Sequence, residues 1–303
     1  MKKSLGIAGL ALLAGFLGYS VLPWTRTGFV ARIYVDAEEI EWKYTLFVPT
    51  EYKADRLYPL LVYLHGYGAR GVDGDKPTTD GPGALIKERE KTFDMFVLFP
   101  QSETGSWEAD TEDGQRVMAI LEEVLRDYAV DRRRIYLTGT SAGGFGVWSL
   151  AARYPDKWAA IVPICGGGDP HCAESIQHIP CWCFHGACDN VIDVGQSRRM
   201  IAALRTAEAR PRYTEYADMG HACWGRAYAT AELWDWLRCQ RLGESAHIPC
   251  RCRTYPWLIA KPVLKIFLAQ WIACKWVVEL WGKLRKGLDI PEGCCYCPVS
   301  GTS

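Results

Sequence analysis

The stretch LTGTSAGGFG, residues 137–146, places one serine among four glycines. Residues 135–137 (IYL) predict the end of a short buried strand, and the segment VWSLAARYP that follows the glycines predicts a helix. A strand, a tight turn and a helix therefore follow one another, with Ser141 in the turn. Gly139 and Gly143 complete the pattern G-x-S-x-G around it, which is typical of a nucleophile elbow.

The glycines of this turn have a steric explanation. In an elbow the serine occupies a strained strand-to-helix turn, where a side chain on either flank would collide with a neighbouring strand or helix. The turn also holds the hydroxyl at the start of a helix, where backbone N–H groups and the helix dipole favour negative charge. We therefore interpret Ser141 as a candidate nucleophile.

A serine hydroxyl needs a base that removes its proton and a carboxylate that orients this base. His221, one of six histidines, follows the last predicted strand and precedes the last predicted helix. Asp189 follows the penultimate predicted strand, and its rival Asp193 is better interpreted as the N-cap of the next helix. The order Ser141, Asp189, His221 is the one expected for an elbow of this kind.

Attack on a carbonyl creates an oxyanion, which needs hydrogen-bond donors fixed in advance. We expect one donor to be the backbone N–H of Ala142, the residue after the nucleophile. The other should come from the loop after LVYLHGYG, where glycines let the backbone approach, and we choose the N–H of Tyr67. His65 in this loop is interpreted as a structural residue, and His185, at the end of a strand, receives no role.

Apolar runs elsewhere in the chain predict an α/β fold. FVARIYV and IEWKYTLFVP are expected to form two antiparallel opening strands, and helices are predicted over residues 114–128, 193–206 and 226–240. Strands that alternate with helices predict a mainly parallel sheet covered on both faces. The segment between Pro163 and Pro180 is too short for an inserted cap domain, which predicts an open site.

The segments YPLLVYLHGYGARG, DRRRIYLTGTSAGGFGVWSLAARYP, IPCWCFHGACDNVIDV and RYTEYADMGHACWGRAYA together resemble the α/β-hydrolase superfamily. More narrowly, they resemble secreted esterases and predicted peptidases related to polyhydroxybutyrate depolymerases, feruloyl esterases and the prolyl-oligopeptidase catalytic domain. The resemblance covers roughly residues 28–242. It implies an α/β-hydrolase fold and hydrolysis of an ester or amide by a serine nucleophile, with Ser141, Asp189 and His221 in the catalytic positions.

Two positions depart from the pattern of these relatives. Tyr67 stands where they usually have a small residue, and Ala142 stands where they often have methionine. Both changes leave the backbone N–H donors in place, but the Tyr67 ring is expected to narrow the pocket. Trp107 and Trp224 lie in loops near catalytic strand ends, so they are candidate walls for the substrate, with ordinary packing as the alternative.

The composition agrees with one globular α/β domain that carries appendages. The chain has 303 residues, of which 49% are hydrophobic and 23% charged, and its formal net charge of zero gives no support for nucleic-acid binding. We expect hydrolysis of a small or polymer-end carboxylic ester, a reaction that needs no metal or organic cofactor. A peptidase with the same three residues, and a catalytically silent scaffold that acts as a binding module, are the alternatives.

Three regions are expected along the chain. Residues 1–24 begin with two lysines and an uninterrupted apolar run, which predicts a signal peptide or a membrane anchor. Residues 25–242 form the predicted hydrolase domain, and residues 243–303 a cysteine-rich tail. We therefore expect the protein to be exported, to the periplasm, the extracellular space or a membrane.

The tail contains a segment, residues 262–286, whose pattern predicts an amphipathic helix with a basic strip. Such a helix suits a membrane surface, or packs on the hydrolase domain with its lysines outward. Export favours disulfides over zinc binding for the cysteines of CRC (250–252) and CCYC (294–297). A Cys188–Cys223 disulfide is also predicted, because the loops that carry the acid and the base must touch.

Overall fold

The computed structural model describes residues 26–244. The predicted signal or anchor segment, the amphipathic helix and the cysteine clusters of the tail lie outside the described residues, so the domain boundaries near residues 24 and 242 stay predictions. Between residues 26 and 244, none of the helices has the length and apolar character that a membrane span requires.

An eight-stranded sheet lies at the centre of the described chain, with its strands in the spatial order β1-β2-β4-β3-β5-β6-β7-β8. Strand β2 pairs antiparallel with β1 and with β4, and all later pairs are parallel, which confirms the mainly parallel sheet. The strands are β1 (Gly28–Val35), β2 (Glu41–Val48), β3 (Tyr58–Leu64), β4 (Phe96–Phe99), β5 (Val130–Thr140), β6 (Ala160–Ile164), β7 (Trp182–Gly186) and β8 (Arg212–Tyr216).

Helices cover both faces of this sheet, as predicted. Apolar side chains of α2, α3 and α5 pack on one face, and those of α1, α6 and α7 pack on the other. The segment between β6 and β7 holds only a short helix, α4, so no cap domain is inserted there. The helices are α1 (Pro82–Arg89), α2 (Glu112–Asp127), α3 (Ala142–Arg153), α4 (Ala173–Ile176), α5 (Gly195–Thr206), α6 (Trp224–Ala229) and α7 (Ala231–Cys239).

The prediction of one helix over residues 226–240 is wrong, because the structure has two helices there. The backbone of Thr230 is extended, with φ −69° and ψ 107°, and this residue separates α6 from α7. The break lets the indole N–H of Trp234 donate to the carbonyl oxygen of Tyr228 at 2.8 Å. Thr230 is neither glycine nor proline, so the sequence alone did not reveal the break.

The parallel strands determine where the functional loops meet. All seven residues of β3 are buried, as expected for a strand covered on both faces. Its last residue, Leu64, pairs with Gly139 of β5, and Gly139 pairs with Pro163 of β6. The loops after these strands, and those after β7 and β8, therefore leave the sheet at one edge.

The N-terminus of α2 packs so closely on the preceding loop that only glycine fits at position 114. A Cβ atom at Gly114 would collide with the backbone of Glu108, whereas one at Gly225 in α6 would meet no atom within 4 Å. We expect Gly114→Ala to lower the free energy of unfolding by about 1–3 kcal/mol through overpacking. Gly225→Ala, the control, should cause no loss and a gain of up to about 1 kcal/mol. Urea unfolding measures both, and equal stability of the two variants would contradict the close packing.

Candidate active site

Ser141 lies in the turn between β5 and α3 in a strained backbone conformation, with φ 55° and ψ −116°. Positive φ is uncommon for residues other than glycine and is maintained only where the surrounding structure enforces it. A Cβ atom at Gly139 would collide with the carbonyl of Gly143, and one at Gly143 with the carbonyl of Leu64 in β3. The steric explanation of the glycine pattern is therefore correct in this structure.

The structure brings together the three side chains that the sequence singled out. His221, in the loop between β8 and α6, has its Nε2 atom 2.9 Å from the hydroxyl oxygen of Ser141. Its Nδ1 atom lies 2.8 Å from Oδ2 of Asp189, in the loop after β7. Since the carboxylate only accepts, Nδ1 carries the proton and Nε2 accepts the Ser141 hydroxyl. This is the tautomer that a general base needs.

Asp189 lies in an enclosed position, where backbone and side-chain donors hold its carboxylate. Its side chain is fully buried, and Oδ1 accepts the backbone N–H groups of Val191 and Ile192 at 2.8 and 2.9 Å. Burial by itself would raise the pKa of Asp189, but the hydrogen bonds from His221 and these N–H groups lower it below its usual value. The rival Asp193 instead accepts the N–H of Gly195 at the start of α5. Asp189 therefore stays ionised beside His221.

The two predicted oxyanion donors are backbone N–H groups beside Ser141. The N–H groups of Ala142 and Tyr67 form no hydrogen bond with any described residue. The turn that carries Tyr67 runs close to the nucleophile, because a Cβ atom added at Gly66 would lie 3.5 Å from that of Ser141. Ala142 and Tyr67 also line the same pocket. Both predicted donors thus flank the nucleophile.

A pocket of about 310 Å³ opens beside Ala142, between the Tyr67 turn and α3. The Tyr67 ring is 57% exposed, and the guanidinium of Arg70 lies over its face at 3.4 Å from the ring centre. Phe145 lines this pocket and also a second one, of about 580 Å³, that follows the outer side of α3. Sequence reasoning did not identify Phe145, although its place four residues after Ser141 in a helix puts it on the same side as the nucleophile.

The two predicted substrate walls differ in their surroundings. Trp107 is only 1% exposed, and its indole N–H donates to the carbonyl of His65 at 2.9 Å. Because the ring is buried, ordinary packing, the alternative given above, describes Trp107 better than the role of a substrate wall. Trp224 is partly exposed and packs edge-to-face on the His221 ring, with 5.7 Å between ring centres. Its indole N–H donates to Asp80 at 2.7 Å, which fixes the ring beside the candidate base.

His65 is a buried structural residue, as interpreted from the sequence. Its Nε2 accepts the backbone N–H of Ser102 at 3.0 Å, while its Nδ1 is 2.7 Å from the carbonyl of Gly66. Burial lowers the pKa of His65 to about 4. The ring is therefore neutral at neutral pH and joins the Tyr67 turn to the loop after β4, two of the segments that line the smaller pocket.

The prediction of a Cys188–Cys223 disulfide is wrong, since both thiols are free. Cys188 is exposed, with its thiol 3.4 Å from the carbonyl of Ala217, whereas Cys223 is fully buried. The loops do touch, since the backbone N–H of Cys188 donates to the carbonyl of Met219 at 2.9 Å, but the two thiols lie in different surroundings, one exposed and one buried. The neighbour of Cys223 is Cys165, and a hydrogen bond from the Cys165 thiol lowers the pKa of Cys223.

The neutral state of His65 predicts a pH dependence of stability. Because its folded-state pKa lies below the unfolded value near 6.5, the unfolded chain binds a proton first as the pH falls. Stability is therefore lost between about pH 6.5 and pH 4, by about 2 kcal/mol from pH 7 to pH 5. His65→Gln, whose amide oxygen can accept the Ser102 N–H without titrating, should reduce this loss. Urea unfolding at both pH values measures the difference, and identical losses in the two proteins would contradict it.

Comparisons with known proteins agree with this architecture. The model of the prolyl oligopeptidase family matches residues 103–182. A bifunctional acetylxylan esterase/xylanase of Neocallimastix patriciarum is 27% identical over 187 residues, which are 60% of this chain and 26% of that protein. Poly(3-hydroxyalkanoate) depolymerase C of Paucimonas lemoignei is 31% identical over 132 residues, 39% of this chain and 30% of that protein. The chain thus spans less than a third of the length of both curated relatives.

The fold is also similar to that of a solved structure, a thermostable esterase. The two are 33% identical, with a TM-score of 0.63, and the match covers 70% of this chain and 63% of the esterase. The similar proteins thus include esterases, whereas the family model that matches the chain is that of the prolyl oligopeptidases. With its mainly parallel sheet, its helices on both faces and its serine elbow, this chain has the α/β-hydrolase fold.

Proposed function

We propose that the protein is a serine hydrolase that cleaves carboxylic esters through an acyl-enzyme formed on Ser141. The observation that carries this proposal is the continuous hydrogen-bonded series from Ser141 through His221 to Asp189, with distances of 2.9 and 2.8 Å. A buried, ionised carboxylate beside a histidine whose other nitrogen accepts from a strained serine is the arrangement that activates an alcohol.

The reaction follows from these contacts. The oxygen of Ser141 bonds to the ester carbonyl carbon while its proton passes to Nε2 of His221, and Asp189 stabilises the resulting imidazolium. When the carbon–oxygen bond to the alcohol breaks, the departing oxygen takes this proton. Water then attacks the acyl-enzyme, with His221 again acting as the base, and the hydroxyl of Ser141 is restored as the acid leaves.

The negative oxygen of each tetrahedral intermediate needs donors that are already in position. The free N–H groups of Ala142 and Tyr67 supply them in this proposal. The N-terminus of α3 adds the partial positive charge of its helix dipole on the same side. Since both donors belong to the backbone, side-chain changes at positions 67 and 142 leave them in place.

Esters are the favoured substrates because the relatives named above include an acetylxylan esterase, a polyester depolymerase and an esterase of known structure. The open pocket beside Ala142 also suits an accessible ester. Peptide hydrolysis with the same residues is the second candidate, and the match of residues 103–182 to the prolyl oligopeptidase family supports it. A comparison of p-nitrophenyl esters with aminoacyl p-nitroanilides separates the two.

Replacement of the nucleophile tests the proposal directly. We expect Ser141→Ala to abolish labelling by a fluorophosphonate probe and to lower kcat/KM for p-nitrophenyl esters by about 10⁴-fold or more. Ser175→Ala is the control, because this exposed serine donates to the carbonyl of Cys172, away from the site. Labelling of Ser141→Ala at the wild-type rate would rule out this nucleophile.

We also propose that the acyl or aryl part of the ester binds between Tyr67 and Phe145. The exposed Tyr67 ring and Phe145 line the pocket that reaches Ala142, the residue after the nucleophile, and aromatic walls favour flat or apolar groups. A substrate bound there has its carbonyl beside Ala142. The second pocket, along α3, gives room for an extended substrate.

Tyr67→Ala tests this pocket while keeping the backbone N–H. We expect KM for an aromatic-acid ester to rise by about 2- to 10-fold, the range of one aromatic contact, with less effect on an acetate ester. Leu57→Ala serves as the control, because Leu57 is an equally exposed apolar residue at the opposite edge of the sheet. Equal changes for both esters would place the acyl group elsewhere.

We further propose that this hydrolase acts outside the cytoplasm, at or near a membrane. Two features of the sequence support the proposal: the apolar run after Lys2 and Lys3, and the amphipathic pattern of residues 262–286. An exported enzyme with an open site has access to large or polymeric esters.

A further inference from the structure

A second histidine lies directly behind the acid. His185 of β7 is fully buried, and its Nε2 is 3.1 Å from Oδ2 of Asp189, the same oxygen that accepts from His221. The mechanism proposed above gives His185 no part. We propose that His185 is a positioning residue that fixes the carboxylate of Asp189 in the orientation His221 requires. This inference rests on the proposed hydrolase function.

The surroundings of the ring determine which nitrogen carries the proton. Nε2 faces two groups that only accept, Oδ2 of Asp189 and the carbonyl of Ile192, each at 3.1 Å. Nδ1 faces the hydroxyl of Ser197 at 2.7 Å. Because both groups at Nε2 only accept, Nε2 carries a proton and donates to Asp189.

Ser197 fixes the far end of this ring. It is fully buried in α5, and its hydroxyl oxygen also lies 3.0 Å from the carbonyl of Gly166 and 3.3 Å from the thiol of Cys183. The hydroxyl donates to the Gly166 carbonyl, which can only accept, and its oxygen accepts the Cys183 thiol, so Ser197 is fixed beside Nδ1 of His185. The ring is thus held between a helix and a catalytic loop.

The contact matters because Oδ2 has two side-chain donors on different sides. Oδ1 is fixed by backbone N–H groups, so the plane of the Asp189 carboxylate is set by what holds Oδ2. Without the His185 ring, His221 would be the only side-chain donor to Oδ2, and the space that the ring fills would be empty. A misplacement of about 1 Å in a catalytic group can cost about 10²-fold in rate.

Two substitutions of similar size separate positioning from packing. The amide nitrogen of glutamine can reach the position of Nε2, so His185→Gln keeps a donor to Asp189, whereas asparagine reaches only the position of Nδ1. We expect His185→Asn to lower kcat by about 10²-fold with little change in KM, and His185→Gln to retain kcat within about 10-fold of wild type. Thermal unfolding of both proteins controls for folding.

Two results of this comparison would overturn the proposal. Wild-type kcat in folded His185→Asn shows that the contact is not needed, and equal losses in both variants with equal falls in stability show a packing role only. A measurement on the wild-type full chain covers the case in which neither variant folds. Histidine-selective ¹⁵N NMR should find His185 protonated on Nε2, and a ring protonated on Nδ1 alone overturns the inference.

The same experiments distinguish this inference from the proposed function. If the wild-type chain hydrolyses no ester and takes up no fluorophosphonate, the hydrolase proposal fails, while the NMR result still reports the contact to Asp189. If the wild-type chain is active and Ser141→Ala is not, the activity ratio of His185→Asn to His185→Gln tests His185 alone.

Discussion

The close approach of the start of α3 to the end of β3 is the constraint on which the site depends. No side chain fits at Gly143, because its Cβ atom would collide with the carbonyl of Leu64, and this contact presses the turn against the sheet. Ser141 is thereby forced to a positive φ, with its hydroxyl facing the loops that follow β7 and β8. Only then do His221 and Asp189 lie within hydrogen-bond reach.

Much of this arrangement could be predicted from local patterns. The glycine spacing located the elbow, and the parallel order of strands required that Asp189 and His221 emerge at the same edge as Ser141. The pairing of Cys188 with Cys223, which lie beside these residues, could not be predicted in the same way. Neighbouring loops were expected, but the direction of each side chain depends on turn geometry that residue spacing does not encode, so the predicted bridge between Cys188 and Cys223 was wrong.

The break at Thr230 and the role of His185 escaped prediction for related reasons. Both depend on individual side-chain contacts or on a single residue's dihedral angles rather than on periodicity. A histidine at the end of a buried strand carries no signal of its own, since its role depends on contacts with Asp189 in the next loop and with Ser197 in the next helix. A buried polar side chain needs a partner, and this requirement is the general rule that could have drawn attention to it.

The Tyr67 side chain shows a further consequence of local contacts. The Arg70 guanidinium covers one face of its ring and also donates to the Tyr67 carbonyl at 3.0 Å. These two contacts restrict the motion of both side chains at the entrance of the pocket. A ring already held in one rotamer has little freedom left to lose when a ligand arrives. The conformational entropy of Tyr67 and Arg70 is thus lost largely during folding, before a ligand binds.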